Sequence, residues 1–257
     1  MLPDTNKLLR DPGSELVFGL VAPVGADLEA LEADLSNQLR QYGYTPNPIR
    51  LSKLLDGVRD LDVELKAAPE FDRLMSYMDG GNRIRERSGS GEILALSAMA
   101  SIKKQRKKDN PIHPRTAHIL RSIKHPDEAR ALRAVYGPGF FLIGLSASTA
   151  LRKWSLRQKG LTEAQAQTVI DRDASEENAF GQQTRDAFDL ADVFIRQHPE
   201  RARTTEQLER FLRLVFGAVV ETPTPDEHAM FLAYASSLRS ADLSRQVGAA
   251  IEHQEAT

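Results

Sequence analysis

The sequence predicts an α/β fold built on a mostly parallel sheet. Three observations carry this. Short apolar runs alternate with amphipathic stretches along the chain, the order expected of strands spaced by helices. Two of the runs, LVFGLV at Leu16–Val21 and FFLIGL at Phe140–Leu145, are continuously apolar, as parallel strands covered on both faces must be. A glycine-bearing loop joins the first run to the first amphipathic stretch, a strand-to-helix turn of the kind that opens such folds.

The elements follow in order. Leu16–Val21 is the first strand. Asp27 to Arg40 is a helix, because Leu28, Leu31, Leu35 and Leu39 recur at three- and four-residue spacing, and Asp27 is a suitable N-cap. Gly43 ends it, and Asn47–Leu51 (NPIRL) is a second strand. Asp60 to Met78 reads as mostly helical, and Gly80-Gly81 should break that helix. Glu92 to Lys107 is a further helix whose 103–108 end, KKQRKK, is a solvated basic terminus. TAHILRSI at Thr116–Ile123 is a strand, Asp127–Val135 a helix and Phe140–Leu145 a strand. Ser148–Gly160, Thr162–Asp171 and Ser175–Ala187 read as helices, Ala191–Ile195 (ADVFI) as a short last strand, and Thr205–Phe216 as a closing helix. Thr222-Pro-Thr-Pro225 is the best boundary, since two prolines in four residues resist both helix and strand. The domains are therefore expected at 1–220 and 221–257.

The chain has 257 residues, 41% of them hydrophobic and 27% charged, which is enough to bury a sizeable core. Its formal net charge of −2 supplies no global drive toward DNA or an anionic membrane, so neither partner is expected. No apolar run approaches the roughly 20 residues that cross a bilayer, and the N-terminus, MLPDTNKLLRDPG, carries no apolar signal core. Cysteine is absent, which excludes disulfides and thiolate chemistry and agrees with a cytoplasmic setting.

Gly19 and Gly25 bracket the loop after the first strand. Loops of this kind hold phosphate through backbone N–H groups and a helix N-terminus. The P-loop pattern GxxxxGK[ST] wants four residues between the glycines, then Lys and Ser/Thr. Here five intervene, and Ala26-Asp27 stand where Lys and the hydroxyl should be. Gly19, Pro23, Gly25 and Asp27 are the loop's candidate nucleotide contacts. Cations from other segments would complete a phosphate site. GNRIR offers Arg83, with Arg85 beside it. RSIKHPD, at the end of the third strand where open sheets place ligands, offers Arg121 and Lys124. The lid-like segments DRDASE and GQQTR offer Arg172 and Arg185. His113, His118 and His125 are not at ligand spacing on one element. The literal His-x-Glu at His253 is a chance match, so no metal ligands are expected. No nucleophile motif stands out, and no catalytic residue is assigned.

Together these segments resemble the anti-phage dCTP deaminase family, which joins a P-loop nucleotide-kinase-like domain to a deoxycytidylate-deaminase-like domain. The landmarks are ELVFGLVAPVGADL, GNRIR, TAHILRSIKHPDE, FFLIGLSAS, IDRDASEENAFGQQTRDAFDLADVFI and the terminal RSADLSRQVGAAI. The last resembles a deaminase entry: a helix, a Ser-Arg-Gln turn and a first strand at Val247–Ile251. The resemblance implies a kinase-like parallel sheet, a nucleotide ligand of unknown identity, Mg²⁺ as a possible companion, and zinc only in the deaminase portion. There a Glu and a zinc-bound water deaminate the base. The chain ends at Thr257 without cysteine, so a fragment or a naturally short form is expected, regulating rather than catalysing. The alternatives are an active nucleoside or nucleotide kinase, and a non-catalytic interaction module that self-associates or docks on an intact deaminase subunit. The module reading rests on the predicted helix Asp226–Leu238, which carries Met230, Phe231, Tyr234 and Leu238 at helical spacing.

Overall fold

The computed structural model describes residues 14–106, 113–175, 181, 183–218, 220–242 and 246–251. Strands β1 (Leu16–Val21), β2 (Thr45–Arg50), β3 (Thr116–Ile123), β4 (Phe140–Ser146) and β5 (Val193–Arg196) form one parallel sheet in the order β2-β3-β1-β4-β5. The α/β expectation holds, with helices on both faces. β1 is central and wholly buried, which is why its run is apolar on both sides. β2 contains Pro46 and Pro48 and lies at an edge, where a missing N–H costs no ladder bond.

Alternate side chains of β1 feed two cores. Val17 and Val21 pack with Leu94, Ala98 and Ile102 of α3 (Ile93–Gln105) and Leu132 of α4 (Pro126–Tyr136). On the opposite face Phe18 stacks on Phe141 at 5.6 Å, and Phe141 meets Phe211 of α8 (Arg201–Val215) edge-on at 5.9 Å. Helix α1 (Leu28–Gln41) buries Leu31, Leu35 and Leu39 and is N-capped by Asp27, whose side chain accepts from the Ala30 N–H. A smaller cluster joins Met78 of α2 (Glu70–Ser88), Leu156 of α5 (Thr149–Gln158) and Val169 and Ile170 of α6 (Glu163–Ser175). Helix α7 (Thr184–Phe188) precedes β5.

Several expectations are corrected. Helix α2 starts only at Glu70 and runs unbroken through Gly80-Gly81. A Cβ on Gly80 would stand 2.9 Å from Leu65 Cδ2, so this glycine admits a close approach of the preceding loop rather than ending the helix. Of the predicted helix at Ser175–Ala187, Ser175 ends α6, Thr184–Ala187 belong to a short helix over Thr184–Phe188, Gly181 and Gln183 are not helical, and residues 176–180 and 182 lie outside the described residues. Lys107 and Lys108, the Ser244-Arg245 part of the turn, and His253 lie outside the described residues.

The chain divides into two compact units, Met1–Val215 and Phe216–Thr257. The second contains α9 (Pro225–Ser237), opened by a capping box in which Thr224 and Glu227 bond each other's backbone. The expected strand at Val247–Ile251 is absent: residues 246–251 carry no strand. A strand needs a neighbour to pair its backbone groups, and the second unit has none among the described residues. No helix among them is long and apolar enough to cross a membrane.

Candidate functional site

The chain leaves the C-terminal end of β1 toward β2 on one side of the sheet, and that of the neighbouring β4 toward β5 on the other. This is the switch point where open sheets form a crevice. A cleft of about 560 Å³ opens there, lined by the loop Ala22–Asp27, Arg50, Glu70, Arg73, Arg121, Ser122, Lys124 and Lys159. A narrower pocket of about 100 Å³ shares Arg50, Arg73, Ser122 and Lys124 with it and adds Tyr77 and Arg85.

Local backbone chemistry shapes this mouth. Pairing between β1 and β3 slips after Leu20, so that Val21 faces Ile123 and Ser122 is the extra residue. Ser122 adopts φ +74°, rare for a side chain with a Cβ. The bulge turns the end of β3 and brings Ser122 and Lys124 to the cleft. In the loop, Gly25 has φ +87°, and a Cβ there would lie 2.8 Å from the Arg152 carbonyl oxygen. Only glycine fits.

The loop is tied down on every side. The Val24 N–H donates to Asp173 Oδ2 at 2.7 Å, and the Val24 carbonyl accepts from Arg152 Nε at 2.7 Å. Lys124 Nζ donates to the Ala22 carbonyl at 2.9 Å and to Asp173 Oδ1 at 2.8 Å. The Asp27 N–H donates to Gln197 Oε1 at 2.9 Å. Burial pushes the Arg152 guanidinium below its ordinary range, with Asp173 opposing.

Across the cleft the cations are unevenly paired. Arg73 donates two bonds to Glu70; this bonding holds the Glu70 carboxyl below its usual range. Arg121 lies 3.2 Å from Glu32. Burial lifts the Glu32 carboxyl, and Arg121 only partly opposes the rise. Arg50 bonds Ser52 Oγ at 3.0 Å and makes no ion pair among the described residues. Burial lowers its pKa, and the neighbouring charges of Arg73 and Arg121 lower it further. Arg85, with a side chain 1% exposed, bonds Glu128 at 3.0 Å, while its Nε and Nη1 have no partner among the described residues. A buried guanidinium with two unpartnered nitrogens, beside an arginine without a carboxylate, is a site short of negative charge.

Of the residues expected from sequence, Pro23, Gly25, Asp27, Arg121 and Lys124 line the cleft. The rest do not. Gly19 lies within β1, where a Cβ would meet Ile123 and Leu142 side chains; its smallness serves packing. Arg83 faces outward and pairs with Asp62 at 3.3 Å and Glu86 at 3.1 Å. Two residues along a helix reverse direction, so Arg85, not Arg83, points inward. Arg172 reaches Asp79 at 2.6 Å instead of the cleft, and Arg185 is exposed on α7.

Sequence reasoning missed Arg50, Arg73, Lys159 and Asp173. The strand-end rule that picked out Arg121 applies equally to Arg50, the last residue of β2. Arg73 and Lys159 carry no comparable signal.

Away from the cleft, Glu15, His113 and His118 offer ligand atoms within 4.8 Å of one another, a grouping their spacing hides. His118 Nε2 lies 2.6 Å from Glu15 Oε1, and Arg106 bonds Glu15 Oε2 at 2.7 Å, so the carboxylate is already satisfied.

No protein-family model matches the chain, and no curated protein matches it. Among solved structures it is similar to a shikimate kinase from Bacteroides thetaiotaomicron, at 11% identity and TM-score 0.42, covering 78% of this chain and 98% of that one. It is also similar to a gluconokinase from Sinorhizobium meliloti 1021, at 14% identity and TM-score 0.41, covering 80% and 95%. The sheet that these comparisons overlay is the five-stranded parallel one, in the order β2-β3-β1-β4-β5. Neither likeness is close enough to transfer a substrate or an activity.

Proposed function

We propose that the cleft binds a phosphate-bearing nucleotide without transferring its phosphoryl group. The observation that carries this is the pair Arg50 and Arg85: a half-buried cation with no carboxylate partner among the described residues beside a buried one with two unpartnered nitrogens. An oxyanion is the ligand that satisfies both, and guanidinium forks suit phosphate. Transfer is disfavoured because Ala26 and Asp27 replace the lysine and hydroxyl that hold polyphosphate and Mg²⁺. Pro23, Gly25 and Asp27 would form the near wall, and Arg121 would steer the ligand.

In the finer reading, the chain is the regulatory, kinase-like portion of a dCTP/dCMP deaminase that drains deoxycytidine nucleotides during phage infection. That reading rests on the sequence landmarks alone. It makes deoxycytidine nucleotides the first ligands to test.

A thermal-shift panel of nucleoside mono- and triphosphates, with wild type and Arg50→Gln, tests the cleft. A ligand at 100-fold over its Kd adds about 2.7 kcal/mol to stability. For a chain of this size that is a Tm rise of roughly 5–10 °C, lost in Arg50→Gln. No shift with any nucleotide sinks the reading. A radiolabelled ATP assay covers the active-kinase alternative: turnover would revive it.

One observation favours an interaction role for the second unit. Met230, Phe231, Tyr234 and Leu238 are all more than half exposed, and such a face suits a second copy or an intact deaminase subunit. A monomer by light scattering at high concentration would remove the self-association form.

A further inference from the structure

Asp173 is 4% exposed and contacts the loop at the points a bound phosphate would use. Its Oδ2 accepts the Val24 N–H; its Oδ1 accepts Lys124 Nζ and, at 3.2 Å, the Thr184 hydroxyl. A phosphate in a strand-to-helix loop takes two of these donor types, a loop N–H and an ammonium. Two further loop N–H groups are also spent inside the protein. Ala26 donates to the Pro23 carbonyl at 3.2 Å and Asp27 to Gln197.

The opposite wall is the reverse case. Arg50 and Arg85 both line the smaller pocket of about 100 Å³, and Arg85 Nε and Nη1 have no partner among the described residues.

We propose that Asp173 is a built-in substitute for a loop-bound phosphate, so that the cleft selects ligands with a single phosphate, held by Arg50 and Arg85, against di- and triphosphates. The inference rests on reading the cleft as a nucleotide site. A second or third phosphate reaching the loop would meet a carboxylate already holding Lys124 and the Val24 N–H. It would have to displace that carboxylate or suffer its charge.

The test is calorimetric titration of dCMP, CMP, dCTP, ATP and inorganic tripolyphosphate into wild type, Asp173→Asn and Thr184→Val. Asp173→Asn keeps the shape and removes the charge. Thr184→Val loosens the carboxylate by one bond and guards against a folding defect in the first variant. Wild type should bind monophosphates at least about tenfold more tightly than triphosphates, and ignore tripolyphosphate. Asp173→Asn should erase that ratio and gain tripolyphosphate binding; Thr184→Val should shift the ratio the same way by less. Equal binding of mono- and triphosphates by wild type overturns the inference while leaving the nucleotide reading intact. So does a ratio unchanged in Asp173→Asn. If no nucleotide binds wild type, the nucleotide reading falls. Tripolyphosphate then decides for Asp173 alone: binding gained in the variant supports its role, and none gained removes it.

Discussion

Arg85 and Glu128 meet at 3.0 Å with side chains 1% and 0% exposed, and they join the floor of the cleft to the first turn of α4. Glu128 Oε2 also accepts the Lys124 and His125 N–H groups at 2.8 and 3.2 Å. One carboxylate therefore orients the inward arginine, caps a helix and fixes the backbone that carries Lys124.

Removing one partner of such a pair leaves a buried, uncompensated charge, at a cost of about 3–5 kcal/mol. Glu128→Gln should lower the denaturation midpoint accordingly, whereas Arg83→Ala, at an exposed pair, should change stability by less than about 0.5 kcal/mol. Urea unfolding of both variants reads the difference. Similar losses in the two would mean that Arg85 gains little from its carboxylate.

Arg50→Gln separates binding from folding. Arg50 has no ion pair to lose among the described residues, and relieving its repulsion with Arg73 and Arg121 offsets lost packing. Its stability should stay within about 1 kcal/mol of wild type, while phosphate affinity drops at least about tenfold. Unfolding curves and calorimetry on the same sample check both halves.

Backbone strain at the mouth runs in two directions. Ser122, at φ +74°, should be relieved by Ser122→Gly, a gain of about 1 kcal/mol. Gly25→Ala adds a Cβ against the Arg152 carbonyl at positive φ and should cost more than about 1 kcal/mol. Melting temperatures of the two variants should move in opposite directions.

Acid should weaken the fold through Glu15. Burial raises its carboxyl pKa, but hydrogen bonds from His118 and Arg106, with their charge, outweigh that and hold it below the ordinary 4.5. A carboxyl depressed in the folded state contributes stability that is fully present above its unfolded pKa. That contribution is lost as pH falls through the folded value. Wild type should therefore lose stability below about pH 4.5 more steeply than Glu15→Gln. Parallel stability–pH curves for the two would assign the acid lability to other groups.

The sheet was legible because its signal is local. LVFGLV and FFLIGL are apolar on every residue, and a strand buried on both faces permits nothing else. The helix of Leu28, Leu31, Leu35 and Leu39 was equally plain, as was α9, expected over Asp226–Leu238 and found over Pro225–Ser237. Strand order, and with it the position of the cleft, depended on which edges pair. No single segment carries that.

The site was half legible. Pro23, Gly25, Asp27, Arg121 and Lys124 sit at the ends of β1 and β3, and a strand-end rule finds them. Choosing Arg85 over Arg83 required the rotation of α2 about its axis, which its packing sets, because two adjacent arginines look alike in sequence. The Val24–Asp173 bond spans 149 residues. The sequence by itself determined the class of fold and the types of charge available to the cleft, since periodicity and composition are local properties. Tertiary structure alone decided which charges are neutralised and which are left over. Ion pairing depends on distance and burial, and these are settled only when distant segments pack together.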